Sequence, residues 1–436
     1  MDTILEQALA LLKNMPLCDY CLGRQFARLW PQLSNKEKGR AIKLTLFLSS
    51  IRNRDVNTVE ILAKRGALPE ALEYLKTINV SCGLEECGLC GGVFTEENFR
   101  RFAEKAVELI DGYEFETFLV GAKASAECIE REDTLRSLVG VINGEDIRND
   151  VKREVAKNLN DLTGRRIDYA APDIVITVDV FREIVQVFPN PVFVKGRYLK
   201  HSRDIPQSLW HCPYCWGKGC QKCGFTGRKY PTSVAELVGE PAQRLFQAED
   251  YKFHAAGRED VDALVAGEGR PFILELKKPM KRRLPLVVVE KEINQSAKGL
   301  VTVFLEEYTN RKQVRLIKAT SPTTAKTYLL KAVYDVDIDE SLLKKLEEKF
   351  RKTVIDQLTP TRVLRRRTEK LRRKTVYEVE ARLVDARTVE YRIRCQGGLY
   401  VKELATGDGG RTKPSFVDVL GVAPVSMELT VVRVEM

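Results

Sequence analysis

The chain opens in a helical pattern. Ile4, Leu5, Ala8, Leu11 and Leu12 recur at the spacing that lines one helix face, and KEKGRAIKLTLFLSSIR repeats it further on. From Asn98 the pattern alternates. FRRFAEKAVELI predicts a helix, FETFLVGA a strand, and Asp146 to Leu162 a long helix with Ile147, Val151, Val155 and Leu159 at helical spacing. Two β-rich runs follow, DIVITVDV and PVFVKGRYLK, which together with the helices predict a compact α/β module. Beyond Pro231 the predicted strands are FILELKK, PLVVVEKEI, QVRLIKAT, KTYLLKAVYDV, TVYEVEARLV, RTVEYRIRC and MELTVVRVEM. Helices are expected at SLLKKLEEKFRKTVI and near the C-terminus. The fold class is therefore α+β, its second half a mixed, largely antiparallel sheet carrying a few helices.

Between those halves, residues 206–228 (PQSLWHCPYCWGKGCQKCGFTGR) break every period with four cysteines and four glycines. The expected division is a helical metal-binding region 1–98, an α/β module 99–205, a junction 206–228 and a C-terminal domain 229–436. Several domains suit a chain of 436 residues. No stretch reaches the roughly 18 uninterrupted apolar residues of a membrane helix. The start, MDTILEQALALLKN, carries early acids and no small-residue cleavage site, so a cytoplasmic protein with no membrane partner is expected, working as a monomer.

Charge sharpens the expectation of a partner. Lys and Arg number 71 against 61 Asp and Glu, a net +10 that favours polyanions. The run from Arg362 to Lys374, RVLRRRTEKLRRK, holds eight basic residues and one acid. It reads as a loop gripping phosphates, the plainer alternative being a solvated helix face. His201, His211 and His254 are the only histidines, which limits imidazole chemistry.

Eleven cysteines without a secretion signal point to metal rather than disulfides. Cys18 and Cys21 form one Cys-x-x-Cys pair and Cys87 and Cys90 another; together they supply the four thiolates that tetrahedral zinc prefers. Two unrelated buried pairs are the alternative, and Cys82, unpaired at that spacing, reads as a bystander. Cys212, Cys215, Cys220 and Cys223 form a second, tighter set, beside which His211 is an alternative ligand. With all four positions filled by protein, both sites would hold structural zinc, and no catalytic cofactor is expected.

The chemistry falls in YKFHAAGREDVDALVAGEGRPFILEL, where Arg258, Glu259, Asp260 and Asp262 occupy a polar turn before a strand. Such a turn alone is commonly a solvated loop. GREDVDALV with GRPFILEL, however, resembles the catalytic segment of the pseudouridine synthase family that modifies the TΨC loop of tRNA in archaea and eukaryotes. KTYLLKAVY around Tyr328 resembles that family's aromatic segment, QLTPTRVLRRR its basic loop and GGLYVKELATGDGGRTKPS its C-terminal signature. Upstream, the cysteine pairs and GRYLKHSRDIPQSLW are similar to its N-terminal half, whose α/β module resembles a THUMP-type RNA-binding domain. The cluster from Cys212 to Cys223 hints at the archaeal branch.

The resemblance implies a substrate, tRNA with target uridines at positions 54 and 55, and a set of roles. Asp260 would be the essential aspartate, Tyr328 would stack on the target base, and Lys402 would be the basic partner of the aspartate. Val401 and Leu420 would wall the pocket, though apolar residues default to the core. Arg258, Arg365, Arg366, Arg367, Arg372 and Arg373 would bind the RNA. Turning uridine into its C-glycoside breaks the N1–C1′ bond, rotates the base and rejoins it through C5, with no redox change. A carboxylate serves either as nucleophile at the sugar or as base at C2′, and the residues leave both open. An aromatic ring suits a base flipped out of folded RNA; the alternative for Tyr328 is a packed strand residue. Asp262, two residues on, reads as structural. Two rivals remain: a non-catalytic zinc-containing RNA-binding protein, and a methyltransferase or thiolase on a THUMP-type module. The C-terminal half lacks the Gly-rich turns that the latter pair's cofactors need.

Overall fold

The computed structural model describes residues 3–365 and 367–435. The chain divides into two compact units, 1–190 and 191–436, each with its own core.

In the first unit, four strands form one sheet: β1 (Thr117–Lys123), β2 (Arg166–Ile167), β3 (Ile174–Asp179) and β4 (Ile184–Pro189), in the order β2-β1-β3-β4. Helices Glu96–Ile110 and Ile147–Thr163 cover it; the second buries Ile147, Val151, Val155 and Leu159, the apolar face expected of it. The helical region and the sheet share a single core, so the boundary expected at residue 98 is no break in packing. Arg24, fully buried, joins them by ion pairs to Glu132 at 2.7 Å and Asp150 at 2.8 Å. A charge at that depth is tolerated because both partners are buried with it. Gly23 permits helices Asp19–Arg24 and Asn35–Asn53 to touch: a Cβ there would lie 1.8 Å from the Asn35 carbonyl oxygen.

The second unit is built on a ten-stranded sheet. Its strands are β5 (Val192–Lys200), β6 (Asp250–Ala255), β7 (Leu264–Lys277), β8 (Val301–Thr309), β9 (Ala325–Val333), β10 (Thr353–Gln357), β11 (Arg372–Asp385), β12 (Thr388–Gln396), β13 (Thr412–Lys413) and β14 (Ser426–Val434). They run in the order β13-β10-β11-β12-β9-β14-β7-β5-β8, with β6 on β7. Every pairing is antiparallel except β14 with β7. The mixed, largely antiparallel sheet read from the sequence is thus observed. In β12, Val389, Tyr391, Ile393 and Cys395 are buried while Arg392 and Arg394 are exposed, the alternation of a sheet with one wet face.

Three expectations are corrected. PVFVKGRYLK, assigned to the α/β module, is β5, hydrogen-bonded between β7 and β8 in the second sheet; the boundary moves from 205 to 190. PLVVVEKEI and QVRLIKAT, expected as strands, are helices Leu286–Ser296 and Arg311–Thr320. The first buries Val289 and Ile293, and its polar face completes the edge of β8: Asn294 bonds both backbone groups of Val303, and Glu290 accepts from the Leu305 amide at 2.7 Å. Covering an otherwise open edge outweighs the β-preference of the Val run. The second is capped by Asn310 and buries Val314 and Ile317, three apart. Finally, SLLKKLEEKFRKTVI splits, its helix ending at Phe350 and its last residues entering β10.

Candidate active site

Alternation along β9 puts Lys326, Tyr328, Leu330 and Ala332 on one face. The last two enter the core, whereas Lys326 and Tyr328, at the strand's beginning, line a cleft of about 1550 Å³. The Asp260 turn, the segment around Arg362 and the helix Val401–Thr406 form the other walls. Both the tyrosine and Val401 are buried on their core side while facing the cleft. Burial pushes the Tyr328 phenol well up from its ordinary range, so the ring is a neutral phenol.

The Asp260 turn is no solvated loop. Glu259, almost fully buried, is held 2.9 Å from the Arg270 guanidinium and accepts from the Tyr198 hydroxyl at 2.9 Å. Beneath the turn, the buried Lys200 ammonium donates to the carbonyls of Val261 at 2.6 Å, Ile205 at 2.8 Å and Asp260 at 3.3 Å. Burial pulls the Lys200 pKa down, with the nearby carboxylates opposing it. Arg203 adds a bond to the Asp262 carbonyl at 2.7 Å. The backbone is therefore fixed and the Asp260 side chain, 38 % exposed, is left facing the cleft.

Its cation is Arg362. One guanidinium nitrogen lies 3.0 Å from Asp260 Oδ1 and another 2.9 Å from Oδ2, while Nε donates to Glu403 Oε1 at 2.6 Å. Burial works against the Arg362 charge, but Glu403 and Asp260 outweigh it and raise the pKa beyond its usual value. Lys402, expected to partner Asp260, instead bonds Asp262 at 2.6 Å. Burial favours the neutral Asp262 carboxyl, yet the Lys402 ammonium prevails and holds its pKa below the usual range. Asp262 is thus half of an ion pair in the cleft wall, in a stretch, 258–263, that is turn and coil. Glu403 and Lys402 are presented by a short helix anchored through Gln357, whose side chain bonds the backbone of Tyr400 at 2.8 and 3.0 Å.

Of the other expected binding residues, Arg258, Arg365, Arg367 and Arg372 line the cleft. Arg258 donates to Ser208 at 2.9 Å and Arg367 to the Tyr400 hydroxyl at 3.2 Å. Arg373 is not among the lining residues: it pairs with Asp356 at 3.0 Å on the exposed surface of β11. Leu420 is corrected likewise, lying in the core beside Phe416 at the end of a four-residue helix, away from the cleft lining. Arg366 lies outside the described residues. The basic run itself is part strand, since β11 begins at Arg372. Sequence reasoning missed Arg362 as a site residue, and Lys200, Glu403 and the buried Lys326 altogether. Lys326 has its pKa pulled down to about 8, chiefly by burial and then by Arg270.

Both cysteine sets close. Within each, all four sulfurs lie within 4.8 Å of one another. Separations of 3.7 Å for Cys18–Cys90 and of 3.7, 3.9 and 4.0 Å in the second set match the S–S edge of about 3.8 Å that Zn–S bonds of about 2.3 Å require in a tetrahedron. Backbone amides of Gly219, Cys220 and Gly227 donate to sulfurs of the second set at 3.2–3.3 Å, as thiolates require. These residues fit zinc. Cys82 and His211 are in neither group.

An aspartate gripped by a bidentate arginine, a buried phenol beside it and a wall of Arg and Lys define an enzyme site open to a polyanion. The comparisons are more particular. The family "Pus10, C-terminal" matches residues 193–435 and "Pus10 THUMP domain, archaeal" matches 102–179. A tRNA pseudouridine synthase Pus10 of Thermofilum pendens is 40% identical over 98% of this chain and 94% of its own. That of Methanopyrus kandleri is 39% identical over 97% and 96%. Among solved structures, a Cbf5-Nop10-Gar1 complex overlaps 46% of this chain and 45% of its own at 19% identity and a TM-score of 0.30, too slight a likeness to argue from. The protein is an isomerase of the pseudouridine synthase class. Within that class it belongs to the Pus10 family.

Proposed function

We propose that this protein isomerises uridine to pseudouridine in the TΨC loop of tRNA, at positions 54 and 55, with Asp260 as the essential aspartate. The observation that carries the reading is the bidentate hold of Arg362 on Asp260 at the cleft, with Tyr328 alongside. An ionised carboxylate fixed in place is what either route demands, attack at the sugar or removal of the C2′ proton. The glycosidic bond breaks, the detached base turns and C5 bonds to C1′; the C5 proton leaves and N1 gains one, so no atom is gained. Tyr328 stacks on the flipped base, Val401 walls the pocket, and Lys402 acts on its neighbour Asp262. Arg258, Arg365, Arg367 and Arg372 hold phosphates. Zinc at the two cysteine sets is structural, supplying folding energy and no step of the reaction.

The tRNA substrate is supported by the names of the relatives, and the two positions by the resemblance of the catalytic segment. The reading also has the enzyme working as a monomer in the cytoplasm, in keeping with eleven unpaired thiols. The test is incubation of the purified chain with an unmodified tRNA transcript and chemical mapping of pseudouridine. Modification at 54 and 55 is expected; modification confined to other sites overturns the positional assignment. A kinetic isotope effect with deuterium at C2′ separates base from nucleophile.

A further inference from the structure

The segment between Pro206 and Tyr230 carries more than a metal site. Its neck is closed by the Cys212 amide bonding the Gly227 carbonyl at 2.8 Å and the Lys229 amide bonding the Trp210 carbonyl at 2.9 Å. From that neck, Trp210, His211, Pro213, Trp216, Lys229 and Tyr230 line the same cleft as Asp260. Three large aromatic rings are left in the open: Tyr214 at 65%, Trp216 at 82% and Phe225 at 73% exposure. Rings of this size are ordinarily the first side chains a fold buries. Trp216 follows Cys215 directly and Phe225 follows Cys223 by two, and both adopt left-handed backbone angles, φ 52° and 61°. Glycine would fit those turns with less strain, so the rings are not there for the backbone's sake.

The electrostatics are one-sided. Lys218, Lys222 and Lys229 fall in this segment with no Asp or Glu, while Arg228 is paired with Glu236 at 2.5 Å. Lys222 lies 3.9 Å over the Tyr214 ring, and Lys229 sits over both Trp210 and Tyr230 at 5.1 and 5.3 Å. A second copy of this chain, itself at +10, would meet like charge here; a polyanion with flat, unstacked rings would meet both complements.

We propose that the four-cysteine knuckle is a second RNA-docking element, on which Trp216 and Phe225 stack unpaired bases of the substrate RNA beside the cleft. This rests on the reading of the substrate as an RNA and adds to it a surface that contacts bases away from the target uridine. Zinc held by Cys212, Cys215, Cys220 and Cys223 would tie four points of the chain together, so that the rings would be held out at little cost in chain freedom on binding.

The test uses the full chain with its zinc, an unmodified tRNA transcript as probe, and the variants Trp216→Ala with Phe225→Ala, and Trp216→Phe. The double variant is expected to bind the transcript about 10–100-fold more weakly, on the order of one to two lost stacks. Its zinc content should equal wild type, and the loss should fall on affinity far more than on the single-turnover rate at saturating RNA. Trp216→Phe, which keeps a ring, should hold affinity within a few-fold while removing part of the tryptophan quenching that RNA produces. Unchanged affinity in the double variant with zinc retained overturns the proposal. So does a change in oligomeric state with RNA affinity intact, which would make the rings a protein interface. If the double variant loses zinc, Trp216→Phe decides: quenching by RNA that does not depend on Trp216 overturns it. Failure of the underlying reading appears separately, as a wild-type chain that makes no pseudouridine in the transcript.

Discussion

Arg362 spreads one guanidinium over two carboxylates of unlike burial, Asp260 at 38% exposure and Glu403 at 6%. Its replacement therefore acts twice. Arg362→Gln releases Asp260 from its fixed orientation and strands Glu403 in the wall, so the single-turnover rate should fall by at least tenfold. Chemical denaturation should show a loss of about 1–3 kcal/mol. Arg362→Lys should rescue little of the rate, since an ammonium cannot serve two carboxylates in fork geometry. Full activity in Arg362→Gln would mean that Asp260 needs no cation. Lys326 gives a pH signature. Its folded pKa of about 8 lies below the ordinary 10.5, so between those values the unfolded chain binds the proton and the folded chain does not. Stability should then gain as pH rises through that window, by up to roughly 1.4 kcal/mol per unit, and Lys326→Met should lose the gain; denaturant midpoints at pH 7.5 and 9.5 measure it. At this scale the cysteine sets were legible from their spacing, and the placing of Asp260 and Tyr328 in one cleft came from the family resemblance alone. The partner of Asp260 was not legible, because Arg362 is 102 positions away and sits in a run whose charge reads equally well as phosphate grip.

The elements divide their work along that same basic run. Arg362 pairs with Asp260, whereas Arg365, Arg367, Lys370 and Lys374 line the same cleft and, among the described residues, make no ion pair with it. Replacing those four by alanine should flatten the dependence of log affinity on log salt by about 0.7–0.9 per lost phosphate contact. The rate at saturating RNA should change far less. A fixed salt slope with a collapsed saturated rate would assign the segment to ordering the site. Long periodic elements such as Ile147–Thr163 were read correctly, since four buried positions fix the phase. The short runs LVVVEKEI and QVRLIKAT were not. Runs of that length satisfy strand and helix alike; for the first the choice was made by Asn294 and Glu290 closing the edge of β8, which no local window contains, and for the second by the Asn310 cap with burial of Val314 and Ile317.

At the scale of the whole molecule, two cores imply two separable units. The shift of the boundary to 190 was illegible because β5 reads as a strand wherever it belongs, and only its pairing with β7 and β8 assigns it. Metal analysis should give two zinc per full chain and one in a fragment of residues 191–436; a value near one for the full chain would leave a cluster empty. Above the units stands the reaction, and the claim that Asp260 performs it is open to direct attack. Asp260→Asn, full-length, should bind an unmodified tRNA transcript within a few-fold of wild type, because phosphate contacts dominate affinity, and form no pseudouridine in single turnover. Residual activity above about a tenth of wild type would contradict the assignment, since losing an essential catalytic group costs far more.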